Sequence, residues 1–206
     1  TRRRRLLGPR DYGRVMTLEE FEACGERPGY VAELIDGVVH VSPSGKPYHH
    51  NWQSAIGFAL TEFSRGHPSV FNHVTFDNDV VIPGRPAASR PRPDIAAYRD
   101  FRLKESFRRG ADWAEFCPVL VVEIISRRRA RKDTTRNRQL YWFAGGIAEY
   151  WIIDTRPDPA KPALIALART AGRPEWEERR IGFGEAYRAP SFEGLSINLK
   201  DLARGN

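Results

Sequence analysis

The sequence predicts a single mixed α/β domain, and three observations lead there. Segments with strand and helix periodicity alternate along the chain. Val119–Ile125 is apolar on both faces, as a central strand covered from two sides requires. No internal repeat or low-complexity linker divides the 206 residues. The expected organisation is a flexible basic extension over residues 1–15, then one domain over 16–206.

The elements follow in order. Thr17 reads as a helix N-cap with Glu20 at the capping-box position. Tyr30 to Ser42 reads as two strands around Asp36-Gly37, a dipeptide suited to a tight hairpin turn. Residues 43–47 form a turn-rich loop. Trp52, Ile56, Leu60 and Phe63 recur at helical spacing, which predicts a packed helix from His49 to Phe63. Val70 to Ile82 is strand-like, and the proline-rich residues 83–93 must be a loop. Asp94 enters a short strand ending at Tyr98, and residues 99–116 are mixed. After the apolar strand at 119–125, residues 131–144 predict a helix closed by Gly145-Gly146. Ile147 to Asp154 is a further strand, with antiparallel additions at 163–169 and 175–181.

Apolar residues make up 41% and charged residues 29%, the composition of a water-soluble globular protein. No apolar stretch approaches the roughly 18 residues that cross a bilayer, so no membrane partner is expected and the expected compartment is the cytoplasm. Cys24 and Cys117 are the only cysteines and show no CxxC spacing, which argues against a disulfide framework and a structural zinc site. The chain carries no Walker A loop, GxGxxG, GxSxG or HExxH motif, so a nucleotide cofactor is not expected.

The net charge of +7 is concentrated. Residues 1–15 hold six arginines against Asp11, and residues 127–138 hold six arginines and Lys132 against Asp133, leaving the rest at −4. Arg2–Arg5 read as a solvated tail. The second segment, with Arg127, Arg128, Arg131, Lys132 and Arg136, follows the central strand directly and suits phosphate backbones.

Glu123 interrupts that apolar strand. A buried carboxylate there costs several kcal/mol unless a cation or good hydrogen bonds compensate it. An ion pair with a following arginine would answer this. So would a metal shared with Asp94 at the adjacent strand entry, because two neighbouring carboxylates repel unless a hard cation lies between them. Glu33, in Val31–Ile35, is a third acidic candidate, or else an exposed strand residue. Asp133, Asn137 and Tyr141 share one helical face by their i, i+4, i+8 spacing. His49 and His50 stand near a helix start.

Met16-Thr17, Glu20-Phe21, Glu33–Gly37, Ser42-Pro43, His49, Pro93-Asp94, Val121–Ser126, Asp133, Tyr141 and Glu149–Asp154 together resemble the Uma-two family, restriction-endonuclease-like proteins of the PD-(D/E)XK superfamily. The resemblance spans residues 16–154. It implies a restriction-endonuclease-like fold, a mixed central sheet flanked by helices. It also implies a Mg²⁺ or Mn²⁺ site in which Asp94 and Glu123 bind metal and Glu33 completes the acidic set. Catalytic residues would be Glu33, Asp94, Glu123, Asn137 and His49. The substrate would be duplex DNA, cut at its phosphodiester bonds, with a homodimer supplying two sites.

One departure stands out. The family places a lysine four residues after the aspartate matching Asp133, where this chain has Asn137. The alternative strand position, two after Glu123, holds Ile125. Lys132, Arg136 and Arg138 are the nearby cations, although neighbouring α-helical positions point about 100° apart. A second reading is therefore a catalytically inactive relative that binds nucleic acid or a protein partner.

Overall fold

The computed structural model describes residues 4–82, 88–107, 113–126 and 132–204. Its centre is a six-stranded sheet. In chain order the strands and helices that matter here begin with β1 (Leu6–Leu7), α1 (Leu18–Glu22), β2 (Gly25–Glu26), β3 (Tyr30–Ile35) and β4 (Val38–Pro43). They continue with α2 (Pro47–Gly66), β5 (His73–Phe76), β6 (Ile95–Tyr98), α3 (Leu103–Ser106) and β7 (Leu120–Ile125). A π-helical turn, Lys132–Asn137, leads into α4 (Arg138–Phe143). β8 (Glu149–Asp154), β9 (Ala163–Ala168), β10 (Glu177–Ile181), β11 (Ala186–Arg188), β12 (Ser196–Asn198) and α5 (Leu199–Leu202) complete the chain.

The sheet runs β10-β9-β8-β7-β6-β5. Only β7 and β8 pair in parallel, which requires the crossover that the π turn and α4 supply. β7 is buried at every position, so the reading of 119–125 as a two-sided strand matches the structure. Alternation along it sorts the core. Val122 and Ile124 face Trp52, Ile56 and Leu60 of α2, whereas Val121 and Ile125 face Tyr141 and Ile147. A third, smaller core gathers Leu7, Met16, Phe21, Leu34 and Val39 around the β3–β4 hairpin.

Local chemistry explains the elements that were foreseen. Thr17 Oγ1 accepts from the Glu20 amide at 3.2 Å, and Glu20 returns the bond to the Thr17 amide at 2.9 Å. Asp36 and Gly37 both take positive φ, 49° and 75°, the pair of values that a two-residue hairpin turn demands. The helix foreseen from His49 starts earlier, with Pro47 in its first turn, where a missing N–H costs nothing. It packs closely on the sheet: a Cβ at Gly57 would lie 2.1 Å from the Phe76 ring.

Other expectations are corrected. Residues 4–15, foreseen within a flexible extension, are laid onto the fold. β1 pairs in parallel with β2, and Leu7 is buried. Arg5 remains about half exposed but is tied to Asp11 at 2.6 Å. In the stretch 70–82 only His73–Phe76 joins the sheet. Val80 and Ile82 donate to the Pro91 and Ser89 carbonyls, but Pro91 and Pro93 have no N–H to return, and no ladder forms. The helix foreseen at 131–144 begins as the π turn. β9 pairs along the whole of β8 and carries β10 at its far edge, while the β11–β12 hairpin was not anticipated.

Candidate active site

β6 and β7 run antiparallel with Ile95 opposite Val122, and continuing that register by one residue sets Asp94 opposite Glu123. Asp94 stands just outside β6. Its Oδ2 accepts from the backbone amide of Ile124 at 2.6 Å, which clamps it to the strand residue after Glu123. His49 Nε2, from the first turn of α2, lies 3.1 Å from the other oxygen, Oδ1. One turn on, Gln53 Nε2 donates to the Asp94 carbonyl at 2.8 Å, and its Oε1 lies 3.1 Å from His50 Nδ1. The sequence marked His49 but not Gln53, whose signal is a polar residue beside the apolar stripe of α2. Asp77 also approaches, its amide donating to the Asp94 carbonyl at 3.2 Å. Burial raises the Asp77 carboxyl above its ordinary range, and the charge of Asp94 adds to that rise.

Glu123 points to the opposite side of β7 from Ile124 and is 4% exposed. Its Oε1 accepts from Asn137 Nδ2 at 2.9 Å and from the Tyr141 hydroxyl at 3.0 Å. The shared face foreseen for Asn137 and Tyr141 is thus the face turned to Glu123; the side chain of Asp133 lies outside the described residues. Burial first, and then the charge of Glu123, push the Tyr141 hydroxyl well above its ordinary value of 10.0, so it remains a neutral donor.

Glu33 enters by another route. Its Oε1 accepts from the Arg92 amide at 3.0 Å, and its Oε2 lies 3.6 Å from Arg136 Nη2. Arg92 is itself fixed, with Nε on Asp79 and Nη1 on Glu26, both at 2.8 Å. Arg136 Nε donates to Asn137 Oδ1 at 3.1 Å. A polar chain therefore runs Glu33–Arg136–Asn137–Glu123–Tyr141 through the interior. Among the described residues no group of three or more His, Cys, Asp or Glu side chains could hold a metal ion. The structure sets Asp94 and Glu123 at one end of the β6–β7 pair, and it sets Glu33 against a guanidinium.

A cleft of about 700 Å³ opens over Ile124, lined among others by Glu33, Tyr48, His49, Ser126 and Arg136. Of the foreseen phosphate-contacting residues, Arg136 lines this cleft. Arg127, Arg128 and Arg131 lie outside the described residues, as does the side chain of Lys132. Arg138 turns to Glu178 of β10 at 2.5 Å. Glu149, a buried carboxylate the sequence reading did not single out, sits at the far end of β8 opposite Leu120. It accepts from Trp151 Nε1 at 2.7 Å, the Tyr187 hydroxyl at 2.9 Å and the Ser191 amide at 2.9 Å, which holds the C-terminal hairpin to the sheet.

No helix among the described residues is long and apolar enough to cross a membrane. The fold is shared with a crystal structure from Anabaena variabilis described as a putative nuclease belonging to DUF820. The two chains are 18% identical over 92% of this chain and 98% of that one, with a TM-score of 0.64. No curated protein matches the chain. The family described as "Uma2: Putative restriction endonuclease" matches residues 18–200. With its profile running from the first helix to the last, this chain belongs to the Uma2 family.

Proposed function

We propose that the protein is a divalent-metal-dependent endonuclease that hydrolyses DNA phosphodiester bonds, with Asp94 and Glu123 as the metal ligands. The observation that supports this reading is that the β6–β7 register, continued by one residue, brings Asp94 opposite Glu123, beside a cleft whose lining includes Lys46 and Arg136. The family's description and the nuclease description of the Anabaena protein support the same class of activity. Both side chains offer the oxygen ligands a hard cation takes, and among the described residues the Oε1 of buried Glu123 accepts from an amide and a phenol. Mg²⁺ or Mn²⁺ bound there would activate water and offset charge developing at phosphorus.

The chain's own residues do the rest. The Ile124 amide and His49 orient the Asp94 carboxylate. Asn137 and Tyr141 orient Glu123. The cleft admits the DNA backbone, and Arg136 and the basic segment 127–132 offer charges to its phosphates. Cutting both strands calls for two such sites, which a homodimer supplies. Incubating supercoiled plasmid with the protein and Mg²⁺ or Mn²⁺ tests the proposal: nicking is expected, and nicking that persists in Asp94→Ala/Glu123→Ala would refute it.

A second reading, binding without cleavage, is favoured by Asn137. This residue is fully buried and bonded to Glu123, so the place of the family's lysine holds no charge. An inert wild type that nicks DNA after Asn137→Lys would select this reading.

A further inference from the structure

We infer that Arg136 supplies the positive charge that the missing lysine would bring to the phosphate, and that Glu33 anchors Arg136 instead of binding metal. This rests on the endonuclease reading above. The two lysine positions are occupied by Ile125 and Asn137, both uncharged and both completely buried. Arg136 reaches the site because residues 132–137 form a π-helical turn. An α-helix would turn neighbouring side chains about 100° apart. In this π-helical turn Arg136 lines the cleft while its neighbour Asn137 bonds Glu123. Such turns are frequent at functional sites.

The guanidinium is oriented but not saturated. Nε is held by Asn137 Oδ1. Nη2 is buried and makes no hydrogen bond among the described residues, Glu33 Oε2 lying beyond hydrogen-bond reach at 3.6 Å. A buried donor without an acceptor is costly. The side chain as a whole is 23% exposed and lines the cleft, where the rest of the guanidinium can meet a phosphate oxygen, whose geometry it matches. Glu33 holds Oε2 3.6 Å from Arg136 Nη2 and is steadied from the other side by the Arg92 amide. That is the arrangement of a counter-ion that aims its partner.

In the reaction this implies, the oxygen of water bonds to phosphorus while the bond from phosphorus to one sugar oxygen breaks. A proton of the water passes to solvent, and the departing sugar oxygen takes one up. Arg136 neither gives nor accepts a proton. It donates hydrogen bonds to the non-bridging oxygens, whose charge grows as the fifth bond forms.

The test compares wild type with Arg136→Ala, Arg136→Lys and Glu33→Gln on a short fluorescein-labelled DNA duplex. Cleavage is followed against Mg²⁺ concentration, binding is measured in Ca²⁺, and thermal unfolding verifies folding. Arg136→Ala should lower kcat by roughly 100-fold or more, as loss of an oxyanion donor does. Arg136→Lys should recover part of that loss and serves if the alanine variant fails to fold. Glu33→Gln should lower kcat while its half-saturating Mg²⁺ stays within about threefold of wild type. A Glu33→Gln variant needing tenfold more Mg²⁺ would make Glu33 a metal ligand and overturn the inference. So would full cleavage by Arg136→Ala, while cleavage still lost in Asp94→Ala/Glu123→Ala would leave the endonuclease reading intact. If the wild type binds the duplex without cutting it, the endonuclease reading fails. Tenfold weaker binding by Arg136→Ala then upholds the phosphate contact, and unchanged binding removes it. A wild type that neither cuts nor binds overturns both.

Discussion

Asp94 is joined to Ile124 by a 2.6 Å hydrogen bond from the Ile124 amide to Oδ2, so a side chain at the entry to β6 is fastened to the backbone of β7 one residue beyond Glu123. Asp94, just outside β6, is therefore held by the backbone of the same strand that carries Glu123. Rigid strands hold functional groups more closely than loops do. Asp94→Asn keeps an oxygen acceptor for that amide and removes the charge. It is expected to leave thermal stability within a few degrees of wild type and to abolish metal-dependent nicking; agarose-gel nicking assays beside thermal melts check both halves.

Tyr141 and Glu123 are buried together. Tyr141→Phe removes a hydrogen bond to a buried carboxylate, a loss of about 1.5–3 kcal/mol. For a chain of this size that lowers the melting temperature by roughly 4–10 °C. Differential scanning calorimetry reads this directly, and nicking measured well below the melting point should fall as Glu123 loses the Tyr141 donor to Oε1.

Glu149 is the control. It is as buried as Glu123 and is bonded by three donors, but it stands at the opposite end of the sheet from Asp94. Glu149→Ala strands those donors and should destabilise the fold by about 3 kcal/mol or more. Nicking by the folded fraction at low temperature should match wild type. A selective loss of nicking there would move the site.

The pH dependence of stability has one clear contributor. Hydrogen bonds from Arg156, first of all, hold the Asp154 carboxyl below its ordinary value of 3.8, and the charge of Arg180 adds to this. Because the folded value is the lower one, its stabilisation is complete above 3.8 and is lost as pH falls through the depressed folded value. Asp154→Asn should therefore be less stable than wild type by about 1–2 kcal/mol at pH 7. The gap should close as pH falls below 3.8 and through the depressed folded value. Urea titrations across that range measure it.

Much of this arrangement can be read from the chain. Glu123 is conspicuous because a charge inside Val119–Ile125 needs a physical reason, and Asp36-Gly37 announces its turn through the φ values those residues tolerate. The placement of Arg136 could not be read. Whether residues 132–137 wind as an α or a π turn depends on one inserted residue in the hydrogen-bond ladder, and side-chain periodicity over so short a stretch does not register it. β1 was hidden for a similar reason: Leu6–Leu7 is two residues long and follows an arginine run, so no alternation betrays it. Val80 and Ile82 carry strand-like side chains, but the decisive fact is in the partner segment, where Pro91 and Pro93 lack donors. Tertiary pairing decided each of these.

The proposed activity depends on a doubly charged ion being held between Asp94 and Glu123. A crystal soaked in Mn²⁺ and measured at the manganese edge tests this most directly. The expected result is an anomalous peak within coordination distance of both carboxylates, absent from crystals of Asp94→Asn. Crystals that bind Mn²⁺ elsewhere and show no peak between these two side chains would contradict it.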